Sequence, residues 1–395
     1  QPALAYEFDK PIEKAFKLGQ DDAKYGQIKM DLRYRYELAD VANNTNPAGN
    51  IDTAHANTLR LRLGYLTPEF HGLQAFAEYE GNLAMQRDYN APKGNWGGGN
   101  PNREVVADPQ DQELNQAWLS YKAFDTEFKG GRQRIIVDDS RFIGNVGWRQ
   151  MEQTFDSAMI TNKSFDNLTI KVGYIGQVKN IWSVDDLIEM PFLNVNYKYK
   201  DLASITAYSY LLADKQTAAK STQTYGFAIT GSPKLNKDVK LHYRAEYSYQ
   251  GDYNNNTADF DLNRYNLMLG ATAIGITAKV GIEELGGDGT NAFQTALGTN
   301  HKFQGWADMF LTTPGNGVRD VNMSLAGKLL GAKLVFAYHN FKSSINSINY
   351  GNEYDFLVAK KFGKHYSILA KYAYYDAQNF KTDTNKFWLQ GNVSF

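Results

Sequence analysis

Ile28-Lys29-Met30-Asp31-Leu32-Arg33-Tyr34-Arg35-Tyr36-Glu37-Leu38 alternates apolar and charged side chains without a break. Successive residues of an extended chain point to opposite faces, so six apolar side chains share one face and five charges the other. The pattern recurs at residues 59–63, 168–172, 193–199 and 239–247. Soluble antiparallel sheets mix Thr, Ser and Lys with charges on their wet face, so five stacked charges suit an enclosed aqueous lumen better. The chain ends in the same way. Phe387, Leu389, Gly391, Val393 and Phe395 alternate with Trp388, Gln390, Asn392 and Ser394, and the final residue is aromatic, as in the closing strand of a bacterial outer-membrane barrel.

No run approaches the roughly 18–20 apolar residues of a spanning helix; the most apolar stretch, 267–276, is interrupted by Gly and Thr. A membrane protein of this sequence must therefore cross with strands. Such strands need an apolar residue only at every second position, which reconciles a mean hydropathy of −0.51 with 26 Tyr and 22 Phe. The absence of Cys excludes disulfide frameworks, thiolate metal sites and cysteine nucleophiles. A net charge of −1 offers nucleic acid no general attraction. The opening Gln1-Pro2-Ala3-Leu4-Ala5 lacks the basic end and apolar core of a signal peptide, so a mature exported chain is expected.

Short connections near 67–72, 124–127, 164–167, 200–202, 232–238, 273–275, 329–333 and 363–365 alternate with longer ones rich in Asn, Gly, Asp and Ser. Eight short and nine long connections join eighteen strands with both chain ends on the periplasmic side; one misread hairpin would make sixteen. The expected fold is an all-β transmembrane antiparallel up-and-down β-barrel, wide enough for water, in the outer membrane of a Gram-negative bacterium. Residues 1–24 form a periplasmic segment too short for a plug domain, and 25–395 form the barrel.

No metalloprotease helix, P-loop, nucleophile elbow or EF-hand loop is present, and the six His are scattered. No catalytic residue, metal or cofactor is expected. The glycine-rich 94–100 follows no strand-to-helix switch and reads as a loop. His242, in line with Arg244, Glu246 and Ser248, reads as part of a polar lumen row.

Two segments combine Trp and Phe anchors with charges, as loops folded into a pore would: 131–156 and 301–311, the latter followed by Pro314 and Gly317. The succession Gly131-Arg132-Gln133, Asp138-Asp139, Arg141-Phe142, Trp148-Arg149-Gln150 and Phe155-Asp156 resembles the alginate-export-type family of outer-membrane channels, which includes major outer-membrane porins. The resemblance extends over about 25–395. It implies an eighteen-stranded barrel whose inward loops place Arg132, Arg134, Asp138, Asp139, Arg141, Trp148 and Arg149, with Trp306 and Asp308 of the second loop, at a pore constriction. Alginate exporters are longer and line the pore densely with Arg, whereas this lumen mixes signs. By alternation Lys29, Arg33, Arg35, Arg60, Arg62, Arg132, Arg134, Lys171, Lys198, Lys240, Arg244 and Arg264 face in beside Asp31, Glu37, Glu78, Glu80, Asp138 and Glu246.

The expected function is a porin passing small hydrophilic solutes or ions by diffusion, with at most a mild anion preference. The rivals are an exporter of an acidic polysaccharide such as alginate, a structural barrel without conductance, and an outer-membrane hydrolase. Expected partners are outer-membrane lipid, the transported solutes, and the barrel assembly machinery through the strand ending at Phe395; the barrel would act as monomer or trimer.

Overall fold

The computed structural model describes residues 3–46, 49–93 and 99–395. The alternating runs form strands β1 (Gln27–Val41), β2 (Ala54–Leu66), β3 (Leu73–Asp88), β4 (Asp111–Ala123), β5 (Thr126–Gln133) and β6 (Thr154–Asn162). There follow β7 (Leu168–Lys179), β8 (Asp185–Tyr199), β9 (Ala203–Asp214), β10 (Thr222–Gly231), β11 (Val239–Asp252) and β12 (Asp261–Ala273). The last six are β13 (Ile276–Leu285), β14 (Val318–Leu329), β15 (Ala332–Lys342), β16 (Asn349–Phe362), β17 (Tyr366–Ala377) and β18 (Thr384–Ser394). Each pairs antiparallel with its neighbours in sequence, giving a sheet of eighteen strands. β1 meets β18 in continuous register from Val41↔Thr384 to Asp31↔Ser394, so the sheet closes and leaves no edge.

The turns explain the tight connections. Two-residue hairpins with both residues at positive φ match the twist of the flanking strands, and Phe124-Asp125, Ile274-Gly275 and Leu330-Gly331 all take that conformation. The glycine-rich 94–98 and the first two residues lie outside the described part. Ahead of the barrel, where the sequence reads as a polar segment, a helix α1 (Ala3–Phe16) packs against the end carrying the short turns.

The outer wall carries the expected apolar side chains, among them Leu119, Phe128, Leu193, Leu267 and Phe356. The interior differs from the expectation of a wholly polar lumen. Two apolar clusters lie inside the barrel, between the wall and the inward loops. One gathers Phe155, Ile175, Ile188, Met190, Phe192, Tyr208 and Tyr210 of the wall around Ile135, Val137, Ile143 and Leu297 of the loops. The other packs Leu285, Val318, Phe341, Tyr350, Tyr375 and Trp388 around Phe293, Ala307 and Phe310. In β8 the inward residues are Asn194, Asn196 and Lys198 toward the short turn, but Phe192, Met190 and Ile188 toward the loop. The parity of the strand is unbroken; the surroundings of its inner face change from water to packed loop.

Phe293 is completely buried in the second cluster, so Phe293→Ala should cost about 3–5 kcal/mol of packing. Because the wall is held by its own ladder, the expected result is faster proteolysis of the 286–317 loop in proteoliposomes with the barrel still folded.

Candidate functional site: the loop-filled lumen

Among the described residues three connections enter the lumen: one with residues 89–93 and 99–110, and those at 134–153 and 286–317. What holds them is charge pairing with the wall. Along the β1–β4 quarter, Arg62 pairs with Glu80 and lies 3.6 Å from Glu152, while Arg134 reaches Glu78 at 3.1 Å and also pairs with Glu152. Arg60 pairs with Asp31. Arg149 donates to Glu37 at 2.9 Å and Asp308 at 3.2 Å, joining one wall strand to the tips of two loops. Asp108 of the 89–110 loop, with no exposed side-chain surface, meets Arg35 at 3.4 Å and accepts from the Gln150 N–H at 2.8 Å. Arg33 donates to the Gly147 carbonyl at 3.1 Å.

A second network spans β11–β13. Glu283 accepts from Arg141 at 2.9 Å and Arg264 at 2.7 Å; Arg264 also reaches Glu246 at 3.0 Å. Arg244 then bridges Glu246 at 2.6 Å and Asp139 at 3.0 Å. Asn194 donates to Asp138 at 2.9 Å.

The third anchor is a single cation. Lys371 Nζ of β17 lies 3.8 Å from the Trp306 ring centre and 4.2 Å from that of Trp148, so both inward loops pack on one ammonium. It also lies 2.7 Å from His301 Nε2, while His301 Nδ1 lies 2.6 Å from Asp308. Since the ammonium and the carboxylate fix the donor and acceptor roles, His301 is neutral, with the proton on Nδ1. Burial pushes the His301 imidazole down to about 3, against the pull of Asp308, with Lys371 and Arg149 adding to the depression. Burial would raise the Asp308 carboxyl, but the charges of Lys386 and Arg149 and the hydrogen bond from His301 outweigh it and hold it well below the carboxylate range. Glu152 behaves alike: Arg62 and Arg134 overcome its burial and bring it down to about 2.

Of the residues expected at the constriction, Arg134, Asp138, Asp139, Arg141, Trp148, Arg149, Trp306 and Asp308 all lie on the two inward loops inside the barrel. Arg132 does not. It stands opposite Ala117 and Asp156, on the side of the lipid-exposed Leu119, Phe128 and Ile160, and forms a two-pronged pair with Asp156 at 2.7 and 2.8 Å. The strand ends at Gln133, so Arg134 belongs to a loop and its direction says nothing about the pleat. The other lumen residues point inward as alternation implied. Arg35, Arg60 and Arg264 have no exposed surface and serve as anchors, whereas Lys29, Lys171, Lys198, Lys240 and the unanticipated Lys279 form no ion pair among the described residues.

The free lysines sit within a few residues of the short turns. Lys198, Lys279 and Arg244, with Asp138, Asp139 and His242, line an open cavity of about 520 Å³ beneath the 134–153 loop. Lys279 and Glu283 were legible in the alternation of Thr277, Lys279, Gly281 and Glu283, and Glu152 and His301 lie within the two loop segments; Lys371 carried no signal beyond its type.

Two outcomes follow. Glu283→Gln strands Arg141 and leaves Arg264 with Glu246 alone, and loss of one partner of a buried pair costs about 3–5 kcal/mol; denaturant unfolding of the reconstituted barrel should show it. His301 takes up a proton near 6.5 when unfolded but only near 3 when folded. The unfolded state therefore binds more protons across that window, and stability falls as pH drops through it, by up to about 1.4 kcal/mol per unit. Channel noise from loop release should rise over the same range and become less pH-dependent in His301→Gln.

The profile of a family described as "Alginate export" matches residues 24–307. Among solved structures the chain resembles OccK9 (OpdG) of Pseudomonas aeruginosa at 14% identity, covering 94% of this chain and 98% of that one with a TM-score of 0.74. A BenF-like porin from Pseudomonas fluorescens Pf-5 is 16% identical, with coverage of 94% and 99% and a TM-score of 0.72. OpdK of Pseudomonas aeruginosa, solved with vanillate, is 11% identical, with coverage of 93% and 98% and a TM-score of 0.71. No curated protein sequence matches. The profile spans well over half of the chain, and the closed barrel of eighteen strands is the fold of these outer-membrane porins: the protein belongs to the alginate-export family.

Proposed function

We propose that the barrel is a passive outer-membrane porin for small hydrophilic solutes, with a preference for anions set near its periplasmic mouth. The observation that carries this reading is the division of charge by depth. Midway through the lumen Arg35, Arg60, Arg62, Arg134, Arg141, Arg149 and Arg264 are paired with carboxylates, so they add little net field, and Arg33 is held by the Gly147, Trp148 and Arg149 carbonyls. Near the short turns Lys29, Lys171, Lys198, Lys240 and Lys279 make no ion pair among the described residues. Unpaired like charges in a confined channel act over a longer range than on an open surface, and favour entry of the opposite sign. The constriction is assigned to Arg134, Asp138, Asp139, Arg141, Trp148, Arg149, Trp306 and Asp308, where the loops meet the wall.

Export of an acidic polysaccharide is the second reading, favoured by the family description. Against it stand the mixed signs and the pairing, which leave no continuous arginine track. The vanillate in the OpdK structure suggests a small carboxylate as the first solute to try.

Single-channel recording under a salt gradient tests the proposal. Expected are a steady open conductance and a reversal potential on the anion side, moved toward zero in Lys198→Gln/Lys240→Gln/Lys279→Gln. A silent bilayer contradicts the passive pore. Saturable block by uronate oligomers, with strong anion selectivity, favours the exporter.

A further inference from the structure

The helix α1 stands on the outside of the barrel foot. Two of its contacts are with outward residues of the wall: Tyr366 is in register with Val393 on the lipid side, and Phe395, paired with Met30, continues that face. The Tyr366 hydroxyl donates to Asp9 at 2.8 Å, His365 Nε2 lies 2.7 Å from Glu13, and the Phe16 ring stacks on Phe395 at 5.4 Å. Phe395 is stacked on its other side by His365 at 4.1 Å. Asp9, Glu13 and Phe16 follow helical spacing, so one face of α1 is committed to the wall.

The remaining surface is not that of a helix in bulk water. Phe8, 71% exposed, with Pro11 and Ala15 at the next turns, makes an apolar face turned away from the barrel; Leu18, just past the helix, is 43% exposed. Beside it Lys10 and Lys14 lie one turn apart and exposed, and Lys17 follows. These lysines, with Pro11, Glu13 and Asp21, line an open groove of about 690 Å³. An apolar face flanked by lysines, fixed beside the lipid-facing wall at the end carrying the short turns, has the chemistry of an interfacial helix.

We propose that α1 is a lipid-binding collar element: Phe8 and Leu18 enter the periplasmic leaflet while Lys10, Lys14 and Lys17 contact phosphates of anionic phospholipid. Among the described side chains of the helix the acidic ones, Asp9 and Glu13, are turned to Tyr366 and His365. Each lysine near an anionic surface adds to the attraction, which fades with salt.

The chain contains no Cys, so a spin label at Phe8→Cys reports one place. The full-length protein is reconstituted in vesicles of phosphatidylcholine alone or of an equimolar mixture with phosphatidylglycerol. In the mixture the label should be reached by oxygen more readily than by a water-soluble nickel complex, the reverse of a label at Lys237→Cys in an exposed turn. The difference should be lost in phosphatidylcholine alone and on adding Lys10→Gln/Lys14→Gln/Lys17→Gln, with the barrel confirmed folded by its heat-modifiable migration. Equal access of the nickel complex to positions 8 and 237 in the mixture overturns the proposal. So does burial of the label that is the same with and without phosphatidylglycerol, since it removes the role of the lysines.

Discussion

A guanidinium without exposed surface has to be paired, because taking an isolated charge out of water costs far more than any single packing contact returns. Arg35, Arg60 and Arg264 are in that position inside this barrel. Their carboxylate partners come partly from the wall and partly from loops, so the requirement for pairing fixes where the loops lie. Arg149 shows the coupling most directly: its one side chain reaches Glu37 of the wall and Asp308 of the opposite loop. Moving the 134–153 loop would take Arg149 away from Glu37, which is buried in the wall.

Once the loops are placed, the apolar clusters follow. Eighteen strands enclose more space than side chains alone can fill, and the loops fill the half toward their own end with Phe, Ile, Trp and Tyr. Lys371 joins both loops to the wall through Trp148 and Trp306, a desolvated cation–π contact of the kind worth about 2 kcal/mol. The half toward the short turns keeps its water and its unpaired lysines. Loops of the same chain thereby convert a wide barrel into a narrow passage with a basic mouth.

Strand number, turn positions and closure were legible in the sequence because an outer-membrane strand must satisfy lipid at every second residue whatever lies inside. That rule constrains the outer face only. The inner face of Phe192, Met190 and Ile188 reads as a contradiction until loop packing is known, since the partner residues are more than forty positions away. Asp108 had no signal at all: within Val106-Ala107-Asp108-Pro109 it looks like any exposed loop acid, and only the fold brings Arg35 to it. Arg132 was misassigned for a local reason, the end of the pleat at Gln133. The helix α1 was hidden by its composition, in which Asp9, Glu13 and the lysines mask a pattern that becomes clear beside Tyr366 and Phe395.

Paired charges hold the loops inside, and in the proposed pore the loops, not the barrel, set the bore. Exclusion of neutral polyethylene glycols of graded size from the open channel measures that bore directly. The expected cut-off lies far below that of an empty eighteen-stranded barrel and rises when residues 138–149 are replaced by a short flexible linker. A native channel that admits polymers as large as the shortened variant does would contradict it.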